Sequence, residues 1–216
     1  MIRRRELLGL LPTAVAGGQG GPLELRVAKV TPRTVRLSLG QPGARTTNPG
    51  TLLPGALTTG GAGRRVPVHS AGAIDAGRAC GLPGAPRIAI DASTGQVAFE
   101  AGAPIFGLGE GGPQFDRRGH HDDMRNGQVG PQQRTFGARI PIPFVIGASG
   151  WAIYFHQPAG AFDFTDRQEG KFLPAEPPSS QALVFFVSVA RDPAALLAEY
   201  ANLTGFPEMP PRWSFG

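Results

Sequence analysis

The side chains that could do chemistry are concentrated between Gly107 and Asn126. This stretch reads GLGEGGPQFDRRGHHDDMRN and combines four acids, three arginines and two adjacent histidines with five glycines. Such a run could form a phosphate-binding loop, a metal site, a pair of catalytic carboxylates or a tight corner that carries other residues. The spacing of the side chains has to distinguish these four kinds of site.

The glycines formally match a dinucleotide-binding fingerprint, Gly107-x-Gly109-x-x-Gly112. That fingerprint requires a helix that opens at the third glycine. Pro113 follows instead, and the next residues have no helical periodicity. A P-loop would need a Lys followed by Ser or Thr, and the stretch has none. We therefore reject both kinds of phosphate loop.

The adjacent residues His120, His121, Asp122 and Asp123 carry side chains of the types that bind metals. Neighbouring residues of a strand point to opposite faces, so consecutive side chains rarely converge on one ion. A solvated polar turn is therefore the favoured interpretation. We predict no metal and no cofactor.

The acids of the stretch could also form a catalytic pair, because a glycosidase needs two carboxyl groups at a defined separation. The candidates are Glu110, Asp116, Asp122 and Asp123. Nothing in their spacing selects two of them. Independent catalysis by this stretch is therefore a minor hypothesis.

The composition predicts one all-β domain. The 216 residues include 32 Gly and 22 Pro, which indicates many turns between short strands. The 41% of hydrophobic residues and the 13 Phe are enough to build a core. The net charge of +5 comes almost entirely from arginines that look scattered, so no nucleic-acid partner is predicted. Cys80 is the only cysteine, which excludes an internal disulfide.

The N-terminus has the features of an export signal. Three arginines at 3–5 precede a short apolar run, Leu7–Val15, and Ala14-Val15-Ala16 fits a signal-peptidase site. The paired arginines also resemble a twin-arginine signal. The run is too short for a permanent membrane span. We predict that residues 1–18 are removed and that the protein is periplasmic or secreted.

Hydrophobic alternation predicts a series of strands at 23–30, 34–39, 87–91, 96–100, 139–146 and 151–156, and a continuous apolar run predicts a central strand at 182–189. The strand 139–146 contains Pro141 and Pro143, which cannot donate ladder hydrogen bonds. It should therefore lie at a sheet edge or change partners there. Residues 40–87 are predicted to be long loops with short edge strands.

One helix is predicted at 193–204, near the C-terminus. Asp192 is a suitable N-cap, Pro193 suits the first turn, and Gly205 ends the helix. The residues expected on its buried face are Leu196, Leu197, Tyr200 and Leu203.

Short motifs follow one another along the chain: Phe106-Gly-Leu-Gly-Glu110, Phe115-Asp-Arg-Arg-Gly119, Met124-Arg-Asn-Gly-Gln128, Pro141-Ile-Pro-Phe144, Gly150-Trp-Ala152, His156-Gln-Pro158, Asp192-Pro193, Tyr200, Leu203-Thr-Gly205 and Pro210-Pro-Arg-Trp213. This series resembles the N-terminal domain of family 31 glycoside hydrolases, the α-glucosidase and α-xylosidase family. The resemblance covers about residues 23–216 and is strongest from residue 99 onward.

The resemblance implies a galactose-mutarotase-like β-sandwich over residues 19–206. It implies that residues 207–216 lead into the first strand of a catalytic (β/α)₈ barrel, which carries both catalytic aspartates of the family. The family nucleophile follows a Trp in a Trp-x-Asp-Met-Asn-type run, and neither Trp151 nor Trp213 begins one. We therefore predict no catalytic residue in this chain, and a missing barrel that is supplied in cis or by another chain.

The resemblance also implies a sugar-contacting loop at 119–130. Family members have Trp-Asn-Thr-Asp there, and this chain has Arg125-Asn126-Gly127-Gln128. Gln128 takes the place of the Asp and can still donate and accept hydrogen bonds. We therefore expect Arg125, Asn126 and Gln128 to contact an α-linked oligosaccharide or glycoside. The competing interpretation is that Asn126-Gly127 is simply a turn.

The remaining motif residues of the stretch are interpreted as the structural corner of a glycine-cornered hairpin. They are Gly107, Gly109, Glu110, Asp116, Arg117 and Arg118.

Two other functions share features with this sequence. A free-standing sugar mutarotase of the same superfamily would use two His and a Glu. The available residues are His69, His120, His121, His156 and Glu110. A non-catalytic carbohydrate-binding module would need exposed aromatic platforms, and the chain has only two Trp and two Tyr.

Overall fold

The computed structural model describes residues 23–46, 51–58, 63–68, 73–111, 115–125, 140–157 and 159–215. The predicted export signal at 1–18 lies outside the described residues, as do Asn126 and Gln128 of the expected sugar-contacting loop.

Strands dominate the described part of the chain. In chain order the elements are β1 (Leu23–Lys29), β2 (Thr34–Gly40), β3 (Arg64–Val68), β4 (Ala73–Asp75), α1 (Ala76–Cys80), β5 (Ile88–Asp91), β6 (Val97–Glu100), β7 (Ile105–Glu110), β8 (His121–Asp123), β9 (Ile140–Gly147), β10 (Trp151–Phe155), β11 (Gly160–Asp163), β12 (Glu169–Pro174), β13 (Leu183–Val189) and α2 (Pro193–Thr204). All the strands predicted from hydrophobic patterning are present, with ends displaced by at most one residue. Strands β11 and β12 were not predicted.

The strands form two antiparallel sheets. A seven-stranded sheet has the order β3-β1-β2-β13-β10-β9-β7, and a six-stranded sheet has the order β4-β5-β6-β12-β11-β8. Their facing sides share one hydrophobic core, so the fold is the predicted all-β sandwich.

Aromatic rings fill the space between the two sheets. Phe155 of the seven-stranded sheet stacks on Phe172 of the other sheet, with ring centroids 4.3 Å apart. Phe99 meets Trp151 edge-on at 6.0 Å. Fully burying one such side chain stabilises the fold by about 1.5–3 kcal/mol. This core therefore supplies much of the free energy that holds the sheets together.

A second core lies on the outer face of the seven-stranded sheet. Helix α2 and the segment 51–58 cover this face, and Phe144 stacks on Tyr200 with centroids 4.6 Å apart. Strands β10 and β13 are consequently buried on both faces. That double burial explains the continuous apolar run that predicted a central strand at 182–189.

The predicted caps of α2 are confirmed, but its predicted buried face is wrong at one position. Asp192 Oδ1 accepts a hydrogen bond from Ala194 N at 3.0 Å. Leu197 is 52% exposed, whereas Glu199 is buried. The carboxylate of Glu199 accepts hydrogen bonds from two hydroxyl groups of the sheet side. The donors are Thr31 Oγ1 at 2.6 Å and Thr34 Oγ1 at 2.7 Å.

The proline-containing strand β9 is internal in the sheet order, between β10 and β7. Its pairing with β10 covers only Phe144–Gly147, and its pairing with β7 is irregular between Gly107 and Gly109. Pro141 and Pro143 therefore lie in the part of β9 that does not pair with β10. The missing donors of these prolines remove no hydrogen bond to β10.

Residues 40–87 contain the predicted edge strands, because β3 and β4 each lie at the end of a sheet. They also contain α1, a short helix that the sequence did not predict. Its N-terminus is capped by Asp75, whose carboxylate accepts from Arg78 N at 2.8 Å. At the C-terminus, residues 212–215 form a 3₁₀ turn within the predicted linker at 207–216.

Candidate functional site

The glycines of the stretch let β7 lie close against β9. A Cβ atom on Gly107 would lie 2.3 Å from Phe144 O, and one on Gly109 would lie 2.1 Å from Ile140 O. Both residues also have positive φ, at 100° and 77°. Only glycine satisfies both conditions. Leu108 between them is fully buried and has φ 65°, an uncommon conformation that the surrounding structure must stabilise.

Arg117 stabilises the distorted segment 107–111 through hydrogen bonds to its carbonyl groups. Its side chain is buried, and its Nε donates to Gly107 O at 3.0 Å. Its Nη2 donates to Gly111 O at 3.0 Å and more weakly to Gly109 O at 3.4 Å. The bulged strand has carbonyl groups that regular pairing with β9 does not satisfy, and a fixed fork of donors can reach several of them. Arg117 is therefore a structural clamp.

Asp116 and Arg118 form a second clamp beside the first. Arg118 donates to the Asp116 carboxylate from Nε at 3.1 Å and from Nη2 at 2.8 Å, and its Nη1 reaches Gly102 O at 3.0 Å. The same carboxylate accepts from Ile105 N at 3.2 Å. These hydrogen bonds, with Arg118 the largest cause, lower the pKa of Asp116 to about 2. Asp116 is therefore ionised at neutral pH and cannot act as a general acid.

The predicted glycine-cornered hairpin is wrong. Strand β7 belongs to the seven-stranded sheet and pairs with β9, whereas β8 belongs to the six-stranded sheet and pairs with β11. The segment between them therefore crosses from one sheet to the other. Arg117 N donates to Ile105 O at 2.8 Å on one side, and Gly119 N donates to Phe164 O at 2.6 Å on the other. The two clamps hold the start of this crossover.

The histidines and aspartates of the stretch do not converge on one point. His121 and Asp123 share a face of β8 and lie 3.1 Å apart, from Nε2 to Oδ1. Asp122 points to the other face of that strand. Among the described residues, no group of three or more His, Cys, Asp or Glu side chains could hold a metal ion.

The expected sugar-contacting loop begins at the outer edge of the six-stranded sheet. Strand β8 is the last strand of that sheet, and Arg125 follows it as an exposed side chain. Arg125 N donates to Asp123 O at 2.8 Å, which turns the chain away from the strand. Asn126 and Gln128 lie outside the described residues, so their predicted role stays a prediction.

One histidine borders a cleft of about 280 Å³ at the end of the sandwich. His156 is buried, and its Nδ1 lies 3.4 Å from Thr51 Oγ1. Glu176 also lines this cleft, but His156 is the one histidine among its described lining residues. His121 lies on β8, the last strand of the six-stranded sheet. His156 and His121 are therefore not brought together, and His69 lies outside the described residues.

The sequence analysis missed a group of arginines on the outer face of the seven-stranded sheet. Arg26, Arg36 and Arg65 line one cleft of about 260 Å³. The interpretation that the arginines are scattered is therefore wrong for these three. The signal was present in the alternation of β1 and β2, and in the absence of any acid between Glu24 and Asp75.

No protein-family model matches the chain. Several curated proteins are similar over just over half of it, among them two α-xylosidases. An α-xylosidase of Emericella nidulans is 26% identical over 121 residues, which is 56% of this chain and 15% of the xylosidase. An α-xylosidase of Lactiplantibacillus pentosus is 29% identical over 123 residues, covering 56% of this chain and 16% of that enzyme.

A solved structure extends the likeness to nearly the whole chain. A dextranase of Flavobacterium johnsoniae, described as a GH31 enzyme and complexed with isomaltotriose, matches with a TM-score of 0.60. The match covers 89% of this chain and 27% of the dextranase, at 19% identity. The chain is related to the family 31 glycoside hydrolases. It has the β-sandwich fold of these family 31 enzymes, and it spans less than a third of this dextranase and less than a fifth of the two xylosidases.

None of the helices in the described ranges is long and apolar enough to cross a membrane.

Proposed function

We propose that this chain is the accessory β-sandwich of a retaining α-glycosidase that acts on α-linked glucosides or xylosides. In this proposal the sandwich shapes the sugar site and supplies no catalytic carboxylate. The catalytic barrel is provided in cis or by another chain. The observation that carries the proposal is the fold shared with the dextranase over 89% of the chain, together with sequence similarity to two α-xylosidases.

The positions of the acids support a non-catalytic role. A retaining enzyme needs two carboxyl groups about 5 Å apart on opposite sides of the scissile bond. Asp116 is engaged by Arg118 and by backbone N–H groups. Asp122 and Asp123 are neighbours on β8 and point to opposite faces of the sheet. The stretch therefore offers a rigid support and no facing pair.

The rigid crossover between the sheets is consistent with a loop that binds the sugar without taking part in catalysis. The clamps of Arg117 and Asp116 fix the crossover at its start, and β8 fixes it at its end. The described part of the predicted loop, residues 119–125, lies at the edge of the six-stranded sheet, and in the proposal this edge faces the neighbouring domain. In the proposal Arg125, Asn126 and Gln128 contact hydroxyl groups of the substrate.

The test is a kinetic comparison of Gln128→Ala with wild type, in the sandwich assembled with its catalytic barrel. Loss of a neutral hydrogen bond to the sugar is worth about 1 kcal/mol. We therefore expect kcat/KM to fall about fivefold on an aryl α-glucoside or α-xyloside. Gln168→Ala, an exposed glutamine between β11 and β12, is the matched control and should leave kcat/KM unchanged. An unchanged Gln128→Ala enzyme, or an equal loss in the control, would contradict the proposed contact.

A further inference from the structure

Three arginines meet on the outer face of the seven-stranded sheet, at the edge formed by β3, β1 and β2. Arg26 of β1 lies directly opposite Arg65 of β3 in the antiparallel register. On its other side Arg26 faces Ser38 of β2, and Arg36 lies one step further along the same face, opposite Ala28. The register thus places three guanidinium groups on adjacent positions of one surface.

This arrangement of arginines does not stabilise the sheet. Like charges that face each other directly across two strands destabilise a sheet. Glu24 relieves part of the repulsion, because its carboxylate pairs with Arg26 and lies 3.8 Å from Arg65 Nη1. Arg36 instead donates to two backbone carbonyl groups, at Ala56 and Leu57. The cluster therefore has three positive charges against one negative charge.

The surrounding residues leave this excess positive charge in place. Glu24 is the one acidic residue among the described residues that line the cleft. The sequence has no Asp or Glu from residue 25 to residue 74, so the lining residues that come from this stretch supply no other carboxylate. Arg36 is also half-buried, and desolvation lowers the pKa of its guanidinium. A cation that has lost part of its hydration gains most from an added anion.

The shape of the cleft fits a small ligand. Its volume of about 260 Å³ is close to the lower limit of about 300 Å³ for small-molecule sites. Side chains that hydrogen-bond neutral polar groups lie beside the arginines, namely Ser38, Gln41 and Thr46. Residues with little or no side chain also line the cleft; they are Ala28, Gly40, Ala44 and Ala182.

We propose that this cleft binds an oxyanion, the carboxylate group of an acidic sugar or the phosphate group of a small metabolite. Arginine presents a planar fork of donors that matches both groups. The adjacent hydroxyl and amide side chains then bind the hydroxyl groups of the same ligand. The site lies at the β3 edge of the seven-stranded sheet, whereas the proposed sugar-contacting loop leaves from β8 of the other sheet. It is therefore a second site, separate from the proposed function.

An extended polyanion fits the cleft less well than a small ligand does. A nucleic-acid surface combines a long basic groove with aromatic side chains on which bases stack. The described lining residues of this cleft include no aromatic side chain, and the three arginines occupy a compact area. A DNA oligonucleotide is therefore an alternative that the experiment has to separate.

The test is isothermal titration calorimetry of the purified chain with inorganic phosphate, glucuronate and glucose, at constant ionic strength. We expect phosphate and glucuronate to bind and glucose not to bind. Arg65→Gln should weaken both anions at least fivefold, because the side chain of Arg65 is 61% exposed and its loss removes a guanidinium without opening the core. Arg65→Lys keeps the charge and should recover part of the affinity. Arg26→Gln provides a second variant if Arg65→Gln does not fold.

The matched control is Arg87→Gln, which removes the same charge from a residue that immediately precedes β5 and is 88% exposed. It should leave both affinities unchanged. Tighter binding of glucuronate identifies a carboxylated ligand, and tighter binding of phosphate identifies a phosphorylated one. The proposal is wrong if neither anion binds, if Arg87→Gln weakens binding as much as Arg65→Gln, or if a DNA oligonucleotide competes and binds more tightly than both.

Discussion

Asp116 shows how a single residue of the GLGEGG…DRRG stretch has a structural task. Its carboxylate accepts hydrogen bonds from Arg118 and from Ile105 N, and its pKa is lowered to about 2. The pKa of an aspartate in the unfolded chain is about 3.9. Because the folded pKa is the lower one, the carboxylate stabilises the fold above about pH 4. This contribution is lost as the pH falls toward 2.

The first prediction follows from this pKa. Asp116→Asn should lower the melting temperature at pH 7. It should also remove part of the fall in stability that wild type undergoes between about pH 4 and pH 2. Circular dichroism melts from pH 2 to pH 7 measure both effects. Glu208→Gln, at an exposed position beyond α2, is the control and should melt as wild type does. Parallel curves for Asp116→Asn and wild type across this window would contradict the assigned role.

The sequence indicated a structural corner here but could not distinguish the roles of Arg117 and Arg118. Arg117 and Arg118 are adjacent and identical, so composition and spacing treat them alike. The fold separates them, because the backbone of the crossover turns Arg117 inward under the β7 carbonyl groups and leaves Arg118 to pair with Asp116. The distinction depends on long-range geometry between β7 and β9, which local pattern does not contain.

Helix α2 shows the same limit at the scale of an element. Its ends were predictable, because an N-cap aspartate, a first-turn proline and a terminal glycine act locally. Its buried face was not, because Leu196 and Leu197 both fall within the apolar arc of the helix. Glu199 is buried where the sheet side offers the hydroxyl groups of Thr31 and Thr34, which come from a distant part of the sequence.

The second prediction separates the two leucines of α2. Leu196 is 1% exposed and packs in the core between the helix and the seven-stranded sheet. Leu196→Ala should therefore lower the free energy of unfolding by about 2–5 kcal/mol. Leu197→Ala is the matched control, and a surface change of this kind costs within about 0.5 kcal/mol. Urea denaturation of both variants measures the difference. Equal losses would mean that the helix is rotated from the described position.

At the scale of the whole molecule, the all-β sandwich was predictable and its crossover was not. Alternation along β1, β2, β9 and β10 identifies strands, and the continuous run of β13 identifies a strand buried on both faces. Partner choice is a property of the complete fold. The sequence therefore suggested that β7 and the histidine segment form one hairpin, whereas they lie in different sheets.

In our proposal, this sandwich works together with the catalytic barrel of a family 31 enzyme. The chain matches the dextranase over 27% of that enzyme. Within the GLGEGG…DRRG stretch and β8, Asp116 is engaged by Arg118, and Asp122 and Asp123 point to opposite faces of the strand. The central claim is therefore that this sandwich has no glycosidase activity by itself.

The most direct measurement is turnover of aryl α-glucoside and aryl α-xyloside by the purified chain. The account predicts no release of the aryl group above the rate of a buffer blank, because retaining hydrolysis needs two facing carboxyl groups and the proposal assigns both to the barrel. Asp116→Asn and Asp122→Asn should give the same blank rate. Turnover by the wild-type chain that either substitution abolishes would contradict the account.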